Sequence, residues 1–84
     1  MARRAPTTLP IYLDRARGPL HEQIFEDIRR AIAAGALRPS TRIASSRALA
    51  ADLAVSRTTA QLALDKLAAE GYLVTRRGSG TFVA

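Results

Sequence analysis

Residues 56–59 read Ser-Arg-Thr-Thr, with a glutamine at 61, and they stand at the head of a helical pattern. Ala60, Ala63, Leu64, Leu67 and Ala68 recur at the spacing of one buried helix face, which turns Arg57, Thr58, Gln61 and Asp65 to the opposite side. The chemistry on offer is recognition of a polyanion. A helix N-terminus carries unpaired N–H groups and a positive dipole end, and Ser56, Arg57, Thr58 and Thr59 add hydroxyls and a guanidinium at the same spot. Gln61 has the donor and acceptor pair that suits an adenine edge. Catalysis has no comparable support. The chain has no cysteine and one histidine, its acids are scattered over helix surfaces, and a serine or threonine nucleophile would lack a base. His21 has no metal-ligand partners at the required spacing and reads as a surface residue, so no metal site and no enzyme is expected.

These residues need elements to hold them. Residues 45–73 read as two amphipathic helices joined by a tight turn. Ser45 or Ser46 can cap the earlier helix, with Leu49, Ala50 and Leu53 inward, and Ala54-Val55 make the turn. Ser56 caps the later helix, residues 57–70, and Gly71 stops it. Upstream, a helix begins at Gly18-Pro19 and runs to about Ala34. Leu20, Ile24, Ile28 and Ile32 form its stripe beside Phe25; Glu22, Glu26 and Asp27 lie early, Arg29 and Arg30 late, and Gly35 offers a left-handed cap. Thr41-Arg42-Ile43 can make a short strand after a Pro39 connector. Tyr72-Leu73-Val74-Thr75 and Thr81-Phe82-Val83 flank Arg76-Arg77-Gly78-Ser79-Gly80, which is a hairpin with a basic tip. Gly78-Ser79-Gly80 precedes a strand rather than a helix, so it is no phosphate loop. Tyr12, Phe25, Tyr72 and Phe82 read as core or rim packing, and Arg29, Arg30 and Lys66 as solvated helix faces.

Together these predict a mainly α fold with a small β-hairpin wing: a winged helix-turn-helix of three helices plus a two- or three-stranded antiparallel sheet. Residues 1–18 form an N-terminal arm, extended and docked or undocked, and residues 19–84 the domain. Thirteen basic residues against seven acidic ones give +6, and twelve of the thirteen are arginine, the side chain best suited to phosphate and guanine. A basic surface also fits a membrane or an acidic protein. Seventeen of the apolar residues are alanine, so the core must come from closely approaching helices. Arg3 and Arg4 precede no apolar run of signal-peptide length, and nothing approaches a membrane span, so a cytoplasmic protein without membrane partners is expected. Three readings stay open on the residues alone: double-stranded DNA binding, a winged-helix module for protein assembly, and an RNA-binding winged helix.

The succession PLHEQIFEDIRRAIAAGAL, TRIASSRALAADLAVSRTT and EGYLVTRRGSGTFV, over residues 19–83, resembles the N-terminal DNA-binding domain of GntR-type bacterial transcription regulators. The LDRARGPLHEQIF opening and GSGTFV ending are most similar to the MocR-type subgroup. That resemblance implies an operator-reading domain, with the recognition helix in the major groove and the wing, residues 73–83, on backbone or minor groove. It places DNA contacts on Arg47, on Ser56, Arg57, Thr58 and Thr59, and on Arg77 and Gly78. Gln61 falls where a base-reading side chain is common. It further implies a homodimer held mainly through a C-terminal metabolite-sensing domain, aminotransferase-like and pyridoxal-phosphate-binding in MocR-type members. The chain stops at Ala84, directly after the wing, so an excised domain without that cofactor is expected. Three positions depart from the family pattern: Ala54 stands for the turn glycine, Ser40 for the connector glycine and Ala44 for a proline. A left-handed Ala54 would strain the turn by about 1 kcal/mol.

Overall fold

The computed structural model describes residues 9–84; Arg3 and Arg4 lie outside the described residues. Helix α1 (Leu20–Ala33) begins behind Pro19, whose φ of −57° suits helix entry and which has no N–H to leave unpaired. Ile24, Phe25, Ile28 and Ala31 are buried, whereas Leu20 and Ile32 are half-buried. Four-residue steps advance about 40° round a helix, so the expected stripe drifts off the core at both ends and Ala31 takes the inward place.

Ser45 caps α2 (Ser46–Leu53), its hydroxyl accepting the Ala48 N–H at 3.2 Å. Ser56 caps α3 (Arg57–Ala69) in the same way, accepting from the Thr59 N–H at 3.0 Å. Strand β1 (Arg42–Ile43) joins the hairpin of β2 (Leu73–Arg76) and β3 (Gly80–Val83) in one antiparallel sheet of order β1-β3-β2. Leu73 faces Val83 and Arg76 faces Gly80 across the hairpin, while Ile43 faces Thr81 on the other side. The architecture is the winged helix-turn-helix expected from the sequence, with a three-stranded sheet.

Ile24, Ile28, Leu49 and Leu67 are the largest fully buried side chains. Each contributes about 1.5–3 kcal/mol through burial. Ala60 and Ala63 are also fully buried, and their small size lets α3 lie close to the two earlier helices. Phe25 meets Tyr72 edge to face at 6.2 Å. Ala68, read as inward, is exposed, because the inward face of α3 is already filled by Ala60, Ala63, Leu64 and Leu67. Tyr12, read as packing, is 79% exposed: only its backbone is anchored, with its N–H donating to Asp27 Oδ2 at 3.0 Å.

That anchor belongs to a polar network that fastens the arm to α1. Gln23 and Asp27 are each only 7% exposed. The Gln23 amide nitrogen donates to the carbonyls of Asp14 (2.8 Å) and Gly18 (3.1 Å), and its oxygen accepts from the Asp14 N–H (2.9 Å) and the Arg17 guanidinium (2.9 Å). Between these contacts, residues Arg15–Arg17 form a single 3-10 turn capped by Asp14. Leu9, Ile11 and Leu13 pack against the core beside it. No buried side-chain polar atom among the described residues lacks a partner, which is what makes two buried polar side chains tolerable on α1.

Candidate nucleic-acid interface

The α2–α3 turn is set by backbone geometry. Ala54 is left-handed at φ 56°, ψ 45°, and the Ala50 carbonyl accepts the N–H groups of both Ala54 and Val55. Arg15 reaches from the arm to donate to the Ala54 carbonyl at 3.3 Å. Ser40 is the other non-glycine residue with positive φ among those described, at 71°. Both positions where glycine would be expected from the family pattern are therefore left-handed here, each carrying a Cβ. Ala44, the third departure, is buried in the core.

The turn delivers Ser56, Arg57, Thr58 and Gln61 to the start of α3. Ser56 is engaged twice, accepting from the Thr59 N–H and donating to the Thr59 hydroxyl at 2.9 Å, so Ser56 and Thr59 lock the first turn of the helix. Arg57, Thr58 and Gln61 line an open cleft with Ser46 of α2. Arg47, beside Ser46 on the first turn of α2, is exposed. Gln61 donates from its amide nitrogen to Asp65 at 2.8 Å. A carboxylate only accepts, so this bond fixes which way the amide points and leaves Gln61 with an oxygen acceptor and a second N–H for another partner.

The wing turns at Arg77-Gly78-Ser79, with the Ser79 N–H donating to the Arg76 carbonyl at 2.9 Å and Gly78 at φ 80°. At its base, Gly80 has a φ of 123°, a conformation that favours glycine, and a Cβ there would stand 3.0 Å from Arg42 Nε, so that side chain would have to shift. The Arg76 guanidinium stands 5.2 Å from the Phe82 ring centre. Arg42 and Arg76 thus add charge at the base of the wing. The sequence placed Arg76 and Arg77 in the basic tip and assigned a contact to Arg77, but it did not point to Arg42, because the β1–β3 pairing that brings Arg42 alongside has no local signature.

Charge is divided between two kinds of surface. Among the described residues Arg47, Arg57 and Arg77 are exposed and enter no ion pair, whereas Arg17, Arg29 and Arg30 are each paired with an acid. Arg29 is hydrogen-bonded to Glu26, which holds the Glu26 carboxyl below its usual range and raises the guanidinium above its own. Lys66 is exposed, but it lies over the Phe25 ring at 4.4 Å rather than being merely solvated. His21 is half-buried with Glu22 at 4.0 Å. No group of three or more metal-ligating side chains occurs among the described residues, and no helix among them is long and apolar enough to cross a membrane.

Residues 20–83 match the model of the bacterial regulatory proteins of the gntR family. The chain belongs to the gntR family. This GntR chain is 49% identical over 75 residues to a probable rhizopine catabolism regulatory protein, MocR, of Rhizobium meliloti, covering 88% of the chain and 15% of that relative. It is 51% identical over 61 residues to the pyridoxine biosynthesis regulator PdxR of Corynebacterium glutamicum, covering 73% of the chain and 14% of PdxR. The chain thus spans about 15% of the length of these curated relatives. Among solved structures, it superposes on the GntR-family factor YtrA of Sulfolobus acidocaldarius with a TM-score of 0.82 at 32% identity, covering 87% of this chain and 78% of YtrA. It also superposes on the AraR DNA-binding domain in complex with operator ORX1, with a TM-score of 0.74 at 33% identity, covering 86% of this chain and 87% of that domain.

Proposed function

We propose that this GntR domain reads a double-stranded DNA operator for a bacterial transcription regulator. The observation that carries the reading is the cleft at the start of α3, where the unpaired Arg57 stands with Thr58 and Gln61 against Ser46. In this reading α3 enters the major groove. Arg57 meets a guanine edge or the adjoining phosphate, Gln61 an adenine edge, and Ser56, Thr58 and Thr59 the phosphates around them. Arg47 binds the backbone from α2, and Arg77 and Gly78 hold backbone or minor groove from the wing, with Arg42 and Arg76 behind them. The likeness to an operator-bound domain supports this over the protein-assembly and RNA alternatives.

The rest of the regulator follows the MocR-type resemblance: a homodimer, in the cytoplasm where the chromosome is, with an aminotransferase-like domain that binds pyridoxal phosphate. In this reading the seat of that cofactor lies in that domain; the single lysine of this chain, Lys66, stands over Phe25 at the surface.

Binding sites selected from a randomised duplex pool test the proposal. The expected result is one recurrent half-site, bound by the 84-residue chain more tightly than a scrambled duplex or an RNA hairpin. Two half-sites one helical turn apart, or a multiple, are expected in natural targets of the dimer. Selection that yields no recurrent sequence, or equal binding to all three probes, would overturn it.

A further inference from the structure

Leu62 is out of place for a residue with only a structural role. It is 48% exposed, lies one residue before the midpoint of α3 and belongs to no part of the core cluster. At about 100° per residue, Leu62 lies about 40° round α3 from Thr58 and about 60° from Asp65, on the side turned away from buried Ala60, Ala63 and Leu67. Its neighbours along that outward stripe are polar: Thr58 one turn earlier, Gln61 beside it and Asp65 one turn later. An isolated leucine there gives nothing to the core, and a polar helix former would serve solubility better. The other exposed large apolar residues are placed differently, Tyr12 on the arm and Val74 opposite Phe82 in the sheet.

We propose that Leu62 is a specificity-determining residue that packs against the C5-methyl group of a thymine in the major groove. The inference rests on α3 being the recognition helix. Leu62 lies five residues beyond Arg57, about 7.5 Å along the axis, within the part of a recognition helix that a major groove about 12 Å wide admits. Thymine is the base whose major-groove edge carries a methyl group, and apolar side chains are what distinguish it there. Gln61, oriented by Asp65, sits next to Leu62 and suits an adenine edge. The pair would therefore read adjacent base pairs rich in A and T by two independent means, a hydrogen-bonding edge and an apolar one.

The test removes the methyl group from either side of the contact. The half-site selected by the parent chain is synthesised with each thymine replaced in turn by deoxyuridine, and each duplex is titrated with the parent and with Leu62→Ala. At one thymine the deoxyuridine change should weaken the parent about fourfold, as expected for one buried methyl group, and leave Leu62→Ala unaffected. Leu62→Ala should melt with the parent, because the side chain is outside the core and alanine is a good helix former. Equal deoxyuridine effects in parent and variant at every thymine would overturn the proposal. So would a Leu62→Ala loss shared by the selected and scrambled duplexes. If no recurrent half-site is selected at all, it is the DNA-reading function that fails, so the two failures are distinguishable.

Discussion

The turn before α3 and the turn of the wing both pass through left-handed backbone, and they reach it by opposite routes. Before α3 the residue is Ala54, which bears the strain of a Cβ, and the conformation is held by the doubly accepting Ala50 carbonyl, the Ser56 cap beyond it and the Arg15 guanidinium. In the wing the residue is Gly78, nothing lies within 4 Å of where its Cβ would be, and one backbone hydrogen bond closes the turn. Over-determined backbone fixes the axis of the following helix, which base reading requires. A permissive turn tolerates small adjustments, which suffices for contacts to a uniform phosphate chain.

The largest test of that contrast exchanges the two arginines for alanine. Arg57→Ala should cost about 1–3 kcal/mol on the selected site and flatten discrimination among duplexes. Arg77→Ala should weaken selected and scrambled duplexes more nearly alike and lower the magnitude of the slope of log affinity against log salt by roughly 1. Titrations of both variants at several salt concentrations decide it, and a variant Arg57→Ala that discriminates as the parent does breaks the comparison.

Stability measurements sharpen it next. Ser56→Ala should cost about 1 kcal/mol, since the Thr59 N–H loses its acceptor and the Thr59 hydroxyl its partner. Ala54→Gly and Gly78→Ala should then move in opposite directions, each by up to about 1 kcal/mol: relief of strain in the first, strain introduced in the second. Ser40→Gly should follow Ala54→Gly. A clear drop in the melting midpoint of Ala54→Gly would show that the surrounding contacts have made alanine the better residue there.

The smallest effect should lie away from both turns. Arg29 depresses the Glu26 pKa, so Glu26 contributes stability that is present above the unfolded carboxylate value of about 4.3 and is lost as pH falls through the lower folded value. Thermal melts below pH 4.5 should show a weaker pH dependence in Glu26→Gln than in the parent, with DNA discrimination at pH 7 unchanged.

Much of this fold was legible because its signals are local. Ser45 and Ser56 cap, Gly35 and Gly71 follow their helices at positive φ, and the α3 face from Ala60 to Leu67 is buried as its period demands. The wing could be placed from two β-rich runs around a glycine-bearing tip. What escaped depends on partners distant in sequence. Asp27 reads only as an acid early in its helix, and Gln23 carries no signal, until the backbone of residues 12–18 is laid against them, and no periodicity encodes a hydrogen bond between residues nine or fifteen apart. Arg42 joins the wing only through strand pairing. Ser40 was recognisable as a departure from glycine, but its left-handed backbone was not. Leu62 carried a signal that went unused, an apolar residue on the polar side of an amphipathic helix.

Gln23 and Asp27 also bear on how such reading heads could be exchanged between regulators. The stretch matched by the family begins at residue 20, yet all four hydrogen bonds of the Gln23 side chain come from residues 14–18, and Asp27, held on one oxygen by Arg30, takes the Tyr12 N–H on the other. A graft cut at Pro19 would keep every α-helix and strand while stripping the Gln23 amide of all four of its contacts and the Asp27 carboxylate of the Tyr12 N–H. A graft cut at Leu9 carries its own lining, so for transplantation the portable unit starts well ahead of its first α-helix.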